Sequence, residues 1–214
     1  MSHPFLNTNL NAQLGVVWPL ILAPLGGEPS TPELVAAVSN SGALGSLGAA
    51  YLSPENMEHA INQIQKRTNR PFAVNLFAPA PSAEVSSQQI NAALQATYKY
   101  RNELAIPEPV VQPPYVEHFE KQFEVLLRHK PAVFSFTFGL VDKNLIKECR
   151  KQNILTIGTA TTLEEGIALQ ESGVDAVVAQ GIEAGGHRGM FFADQEDSFI
   201  LKKSVQICDN SSNH

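Results

Sequence analysis

Short apolar runs alternate with helix-period segments along most of the chain, and this alternation restricts the fold more than any other feature. Strands are expected at VVWPLILAP (Val16 to Pro24), LGSLGAA (Leu44 to Ala50), PFAVNLFAP (Pro71 to Pro79), AVFSFTFG (Ala132 to Gly139), ILTIGTA (Ile154 to Ala160) and VDAVVAQG (Val174 to Gly181). Helices are expected between them. TPELVAAVSNSG has Thr31 to cap, Pro32 at the first helical position and Gly42 to close. SPENMEHAINQIQKR repeats the start with Ser53 and Pro54, and Met57, Ala60, Ile61 and Ile64 make one apolar face. YVEHFEKQFEVLLRHK carries Val116, Phe119, Phe123, Leu126 and Leu127 on a stripe, and DKNLIKECRKQN reads as the next helix. TLEEGIALQESG opens with a capping box of Thr162 and Glu165 and ends at Gly173. Strand–helix alternation implies parallel strands joined by crossover helices. The strands are apolar on both faces, as buried parallel strands are.

Two architectures satisfy that pattern, an open doubly wound sheet and a (β/α)8 TIM barrel. No GxGxxG follows the first strand, which counts against a dinucleotide-binding open sheet. Polar and glycine signals gather instead after the strands, at Gly26–Gly27, Asn75, Gly139, Thr159 to Thr162 and Gln180 to Gly189. A barrel collects its functional groups at that end. A full barrel usually takes about 250 residues, and this chain has 214. The expected fold is therefore α/β, an incomplete TIM barrel with about six of the eight strand–helix units. Residues 1–192 form the partial barrel, with an insertion at about 80–114 that holds a helix near Ser87 to Asn102 and the proline-rich IPEPVVQPP. Residues 193–214 are atypical and end in DNSSNH, read as a disordered tail.

The net charge is −6, with no basic cluster larger than Lys202–Lys203, so nucleic acid and anionic membranes are not expected partners. No apolar run is long enough to span a bilayer. The N-terminal MSHPFLNTNLNAQ lacks the pattern of a signal peptide. Cys149 and Cys208 lie far apart without metal-ligand spacing, which suits a reducing compartment. A cytoplasmic protein without a bound metal is the expectation.

One stretch concentrates ionisable groups among glycines. AQGIEAGGHRG, Ala179 to Gly189, follows an apolar strand and places Glu183, His187 and Arg188 between Gly181, Gly185, Gly186 and Gly189. Glycines let backbone approach a ligand or adopt positive φ. Imidazole exchanges protons near neutrality, so His187 is a candidate general base. Arg188 suits an anion or a pairing with Glu183. A solvated βα loop explains the same residues at even odds. Asn75, polar inside an apolar strand, needs a partner, either a ligand or a structural hydrogen bond. Gln180 invites the same two readings. Gly26–Gly27 reads first as a turn, His59, His118 and His129 as solvated, Cys149 as a packed helix residue and Trp18 as core or barrel-bottom packing.

The chain resembles the nitronate monooxygenases, FMN-dependent TIM-barrel oxidoreductases. The resemblance covers about Leu14 to Gly189. It rests on ILAPLGG, TPELVAAVSNSGALGSLGAAYLSPE, PFAVNLFAP and, above all, QGIEAGGHRG in that order. It implies that Ala23, Pro24 and Leu25 line the flavin ring, with Leu25 standing where the family usually has methionine. It implies that Asn75 and Gln180 hydrogen-bond the flavin, that Gly185 and Gly186 let backbone approach FMN, and that His187 is the catalytic base or the cation beside an anionic nitronate. The implied reaction is oxidative denitrification of alkyl nitronates with molecular oxygen, so the partners are a small nitronate and oxygen, with homo-oligomerisation left open. The family's AGGI-like and MGTAF-like segments, which hold the FMN phosphate after later strands, do not occur. An FMN-dependent enoyl-acyl-carrier-protein reductase shares the EAGGH-type loop and is the alternative enzyme. An inactive, incomplete barrel is the alternative of another class.

Overall fold

The computed structural model describes residues 8–27, 29–80, 85–112, 115–192 and 207–209. Within the larger of its two units, Met1–Pro79 with His118–His214, the chain forms α1 (Asn9–Leu14), α2 (Pro32–Asn40), β1 (Gly45–Gly48), α3 (Pro54–Arg67) and β2 (Phe72–Phe77). After the second unit, described below with its helix α4 (Ser87–Glu103), follow α5 (Phe119–His129), β3 (Val133–Thr137), α6 (Lys143–Lys151), β4 (Leu155–Ala160), α7 (Leu163–Ser172), β5 (Ala176–Ala179) and β6 (Ile207–Asp209).

The strands pair in sequence order, β1-β2-β3-β4-β5-β6, and all neighbours from β1 to β5 are parallel. This is the strand order of a (β/α) barrel, left incomplete. The first expected strand, Val16 to Pro24, is reduced to one parallel bridge between Ile21 and Leu44. Pro19 and Pro24 interrupt its donors, since proline carries no N–H for the ladder. The backbone bonds Leu22 N to Leu44 O and Leu44 N to Leu20 O hold it beside β1. At the other edge β6 pairs antiparallel with β5, Val177 opposite Cys208. The remainder of 193–214, on which the expected disorder falls, lies outside the described residues.

Helix starts follow the expected chemistry. The hydroxyls of Thr31 and Ser53 cap α2 and α3, with Pro32 and Pro54 at the first turn. α1, a short helix capped by Thr8, carried no recognised signal. Strand alternation sends successive side chains to opposite faces. One face packs against the helices: Phe72, Val74, Leu76, Phe134 and Phe136 meet Met57, Ile61, Ile64, Phe123, Leu126 and Ile146. The other face begins with a small apolar layer of Leu44, Ala73, Val133, Ile157 and Ala176, joined by Leu14 of α1. Cys149 is fully buried on α6, and burial, with Asp175 and Glu148 nearby, pushes its thiol up to about 12. Trp18 is 43% exposed, so of the two expected positions it does not take the core one, and it donates its indole N–H to Ser41 O. The segment that carries it forms one bridge, from Ile21 to Leu44 just before β1. His129 is also not a freely solvated side chain: its Nε2 lies 3.0 Å from Glu58 Oε1.

The second unit, Ala80–Glu117, carries α4. Its start is a reciprocal capping box between Ser86 and Gln89. Near its end, Arg101 donates to Leu94 O and pairs with Glu108 at 3.6 Å.

Candidate active site

Along the non-helical face of the sheet, polarity rises from the amino to the carboxyl ends of the strands. Ala73 is followed two residues on by Asn75; Val133 by Ser135 and then Thr137; Ile157 by Thr159; and Val178 by Gln180. The parallel register brings these positions side by side, with Asn75 opposite Ser135. Asn75 Nδ2 donates to Ser135 Oγ at 3.0 Å, so the buried amide has the structural partner that its strand position demanded. Thr137 and Thr159 approach through their hydroxyls at 3.5 Å.

The glycine-rich loop lies at this mouth. Gln180, directly after β5, clamps it: Nε2 donates to His187 O at 3.0 Å and Gly189 N donates to Oε1 at 2.7 Å. Gly189 is buried under the methyls of Thr137 and Thr159, where a Cβ would come within 2.8 Å of the first. Arg188 donates to Thr161 O at 3.2 Å, and the Glu183 carboxylate folds back against Gly181. His187 itself is exposed, with its ring edge-on to Phe138 at 6.5 Å between centroids. Beside it, Gly185 and Gly186 face open space, and Gly186 has φ of 78°.

Three aromatic rings missed in the sequence extend from His187. Phe138 packs on Phe77 at 4.9 Å and Phe77 on Tyr51 at 5.3 Å, both edge to face. Phe138 has φ of 68°, a left-handed conformation that costs a bulky residue about 1–3 kcal/mol. The cue is their position: Phe77 ends β2 and Phe138 directly follows β3, where barrels place their sites.

Ala23, Pro24 and Leu25 are exposed at the carboxyl end of the first segment. Their path is fixed by contact with β1: a Cβ on Gly48 would lie 2.7 Å from the Leu25 carbonyl carbon and oxygen. Ser30 Oγ accepts from Leu25 N at 2.8 Å. Gln122, a polar residue inside the α5 stripe, is buried and donates to Ala49 O and Leu52 O, at 3.1 and 2.8 Å, holding the loop that carries Tyr51. Ala23 to Leu25, Gln180, Gly185, Gly186 and His187 thus stand beyond the carboxyl ends of the parallel segments, and Asn75 lies inside β2, two residues short of its end. The Asn75 and Gln180 amides are engaged with protein partners. No group of three or more His, Cys, Asp or Glu suited to a metal occurs among the described residues.

A profile of the nitronate monooxygenase family matches residues 7–208. The chain belongs to the nitronate monooxygenase family. A probable nitronate monooxygenase of Staphylococcus aureus (strain MRSA252) is 41% identical over 184 residues, covering 85% of this chain and 51% of that protein. One from Staphylococcus haemolyticus (strain JCSC1435) is 39% identical over 212 residues, covering 96% and 58%. The chain therefore spans a little over half the length of these curated relatives. Among solved structures, a nitroalkane oxidase from Streptomyces ansochromogenes superposes with a TM-score of 0.76 at 33% identity, over 91% of this chain and 55% of that one. FabK from Thermotoga maritima gives 0.63 at 23% identity, over 86% and 47%, a likeness of fold. The nitronate monooxygenase match reaches beyond the Leu14 to Gly189 stretch that carries the motifs. Among the described residues, no helix is long and apolar enough to cross a membrane.

Proposed function

We propose that this chain carries the His187-bearing half of an FMN-dependent nitronate monooxygenase site, acting on alkyl nitronates with oxygen. The observation that supports it most is the AQGIEAGGHRG loop, clamped by Gln180 at the mouth of the sheet with His187 exposed beside an aromatic wall. The residues present fit the flat ring of a flavin. Gly185 and Gly186 leave open space where other residues would project side chains, and Ala23 to Leu25 expose a narrow edge of small and apolar groups. When bound, FMN supplies the electron transfer between nitronate and oxygen.

The chain's own residues then have separable tasks. A nitroalkane carries acidic C–H next to its nitro group. His187 accepts that proton, the electron pair passes to the nitro group, and the imidazolium left behind faces the nitronate oxygens. The rings of Phe138 and Phe77 offer the alkyl part an apolar wall. Gln180 sets the position of the His187 backbone.

Purification followed by a visible spectrum and an FMN titration tests the cofactor half of this reading. Saturable but weakened flavin binding is expected, since the phosphate-holding segments do not occur; no binding even at millimolar FMN would remove it. His187→Ala tests the chemistry. Turnover of neutral nitroalkanes should fall by about 10²-fold or more, with a smaller loss on preformed nitronates. Equal losses on both would exclude the base role. Rapid reduction by NADH would favour an enoyl-reductase-like reaction instead.

A further inference from the structure

Glu165 is fully buried at the first turn of α7, and its carboxylate does something other than complete the expected capping box. Thr162 Oγ1 does accept from Glu165 N, at 3.2 Å. The Glu165 side chain, however, passes over the cap. Its Oε2 accepts from Thr161 N at 2.7 Å and from Thr161 Oγ1 at 2.8 Å. Its Oε1 accepts from Phe191 N at 2.6 Å and Phe192 N at 3.0 Å. Both oxygens are thus saturated, one by the β4–α7 connection and the other by the chain leaving the His187 loop. Arg188 adds a third link from that loop to Thr161 O. Burial by itself pushes the Glu165 carboxyl up, but the N–H groups of Phe191, Thr161 and Phe192 and the Thr161 hydroxyl outweigh it and hold the group below its ordinary range.

We propose that Glu165 is a positioning residue for the His187 loop: its carboxylate ties the loop's exit at Phe191 and Phe192 to the start of α7, and so fixes where the imidazole stands. Gln180 holds the loop from the β5 side at His187 and Gly189. Glu165 holds it two residues further on, from a different element. Between the anchors at 180 and 187 lie Gly185 and Gly186, which make no close contact that would hold a side chain in place. A glutamine replaces this carboxylate imperfectly. Three of its four partners are backbone N–H groups, so an amide NH₂ would face both Phe191 N and Phe192 N at one end, or Thr161 N at the other, where only the Thr161 hydroxyl can turn to accept. The consequence for catalysis rests on the reading of His187 given above; the tether itself does not.

The bond after Arg188 is a trypsin site inside the tethered stretch, which allows a test without flavin or turnover. In Glu165→Gln, cleavage after Arg188 should accelerate by roughly tenfold or more relative to the wild type, because proteolysis follows the population of the open loop. Cleavage after Arg67 and Arg150 should stay unchanged. Leu169→Ala, which removes a buried α7 side chain without touching the tether, serves as the comparison at matched melting temperature. The His187 ring signals in a two-dimensional NMR spectrum, assigned with His187→Asn, should move in Glu165→Gln and stay in place in Leu169→Ala. If the two variants behave alike in cleavage and in the His187 signals, the proposal is overturned. If Glu165→Gln does not fold, hydrogen exchange on the wild type decides. The Phe191 and Phe192 amides should be protected relative to Gly185 and Gly186; equal exchange would remove the tether. An intact tether in a protein whose His187→Ala variant retains full nitroalkane turnover would refute the proposed chemistry and leave Glu165 in its role.

Discussion

Gly48→Ala should weaken flavin binding more than it weakens the fold. The added Cβ would sit 2.7 Å from the carbonyl of Leu25 and 2.9 Å from Gly26 N, where ordinary contact begins at 3.4 Å. One side must give by about 0.7 Å. β1 is buried on both sides and bonded to β2 through its full length, so it cannot move. The Ala23 to Leu25 segment is exposed and beyond the Ile21 bridge, so it shifts outward. Overpacking costs about 1–3 kcal/mol where the surroundings are rigid, and the yielding segment places this variant at the lower end. For a chain of this size that is about 2–4 °C of melting temperature per kcal/mol. The same shift carries Ala23 to Leu25 away from the ring they are proposed to line, and each lost 1.4 kcal/mol of contact is about a tenfold loss of affinity. Gly45→Ala is the counterpart. Its Cβ would meet the Val35 carbonyl inside α2 and Ser39 Oγ at 2.7 Å, neither free to withdraw. Thermal melts with parallel FMN titrations should therefore separate the pair, Gly45→Ala losing more stability and Gly48→Ala more affinity. Equal effects of the two variants on both quantities would refute the assignment of the Leu25 segment to the flavin edge.

Other expectations are simpler. Gly166 sits inside α7 with its would-be Cβ 4.0 Å from Ala160 Cβ, so Gly166→Ala should stabilise the protein by about 0.5–1 kcal/mol, read as a raised denaturant midpoint. Cys149, buried and with its thiol pushed up to about 12, should not react with an aromatic disulfide reagent at pH 8 until denaturant is added. For Glu165 the folded-state value is depressed, so its contribution to stability is present above the unfolded carboxylate range and is lost as pH falls through the folded value. The stability gap between wild type and Glu165→Gln should therefore be widest near neutrality and shrink below about pH 4; a gap that widens in acid would contradict it.

Much of the fold is legible in the sequence, and the reasons are local. The caps at Thr31 and Ser53, with their following prolines, act within one helical turn, so α2 and α3 start where expected. The β2 to β5 runs are largely apolar because helices cover one face and a small apolar layer begins the other, and that pattern needs no distant information. Asn75 was recognised as needing a partner, but the identity of that partner, Ser135, depends on the β2–β3 register across 60 residues. The same holds for Gln122, whose partners lie across from another loop, and for the aromatic line from Tyr51 to His187. The first strand failed for the opposite reason. Its composition is strand-like, but Pro19 and Pro24 remove donors that only the ladder itself would reveal as necessary. Glu165 shows the limit most clearly. A Thr-x-x-Glu spacing is local and signals a cap, whereas one carboxylate oxygen is bound by backbone N–H groups 26 and 27 residues further along the chain.

That long-range tether explains how a loop so rich in glycine could hold a functional group in place. Glycine loses more conformational freedom on ordering than any other residue, so an untethered stretch from Gly181 to Gly189 would be a poor platform for a proton-transfer group. Here the loss is met in advance from two sides. Gln180, at the end of a buried strand, fixes His187 O and Gly189 N, and Glu165, at a helix start, fixes Phe191 and Phe192. Only the middle of the loop, around Gly185 and Gly186, is left facing open space. A ligand entering the mouth then needs to order a few residues and not the whole loop, and the imidazole is already anchored through its own backbone when it arrives. The glycines provide room and the two polar side chains provide position, the division of labour that the proposed general base beside a flat cofactor would require.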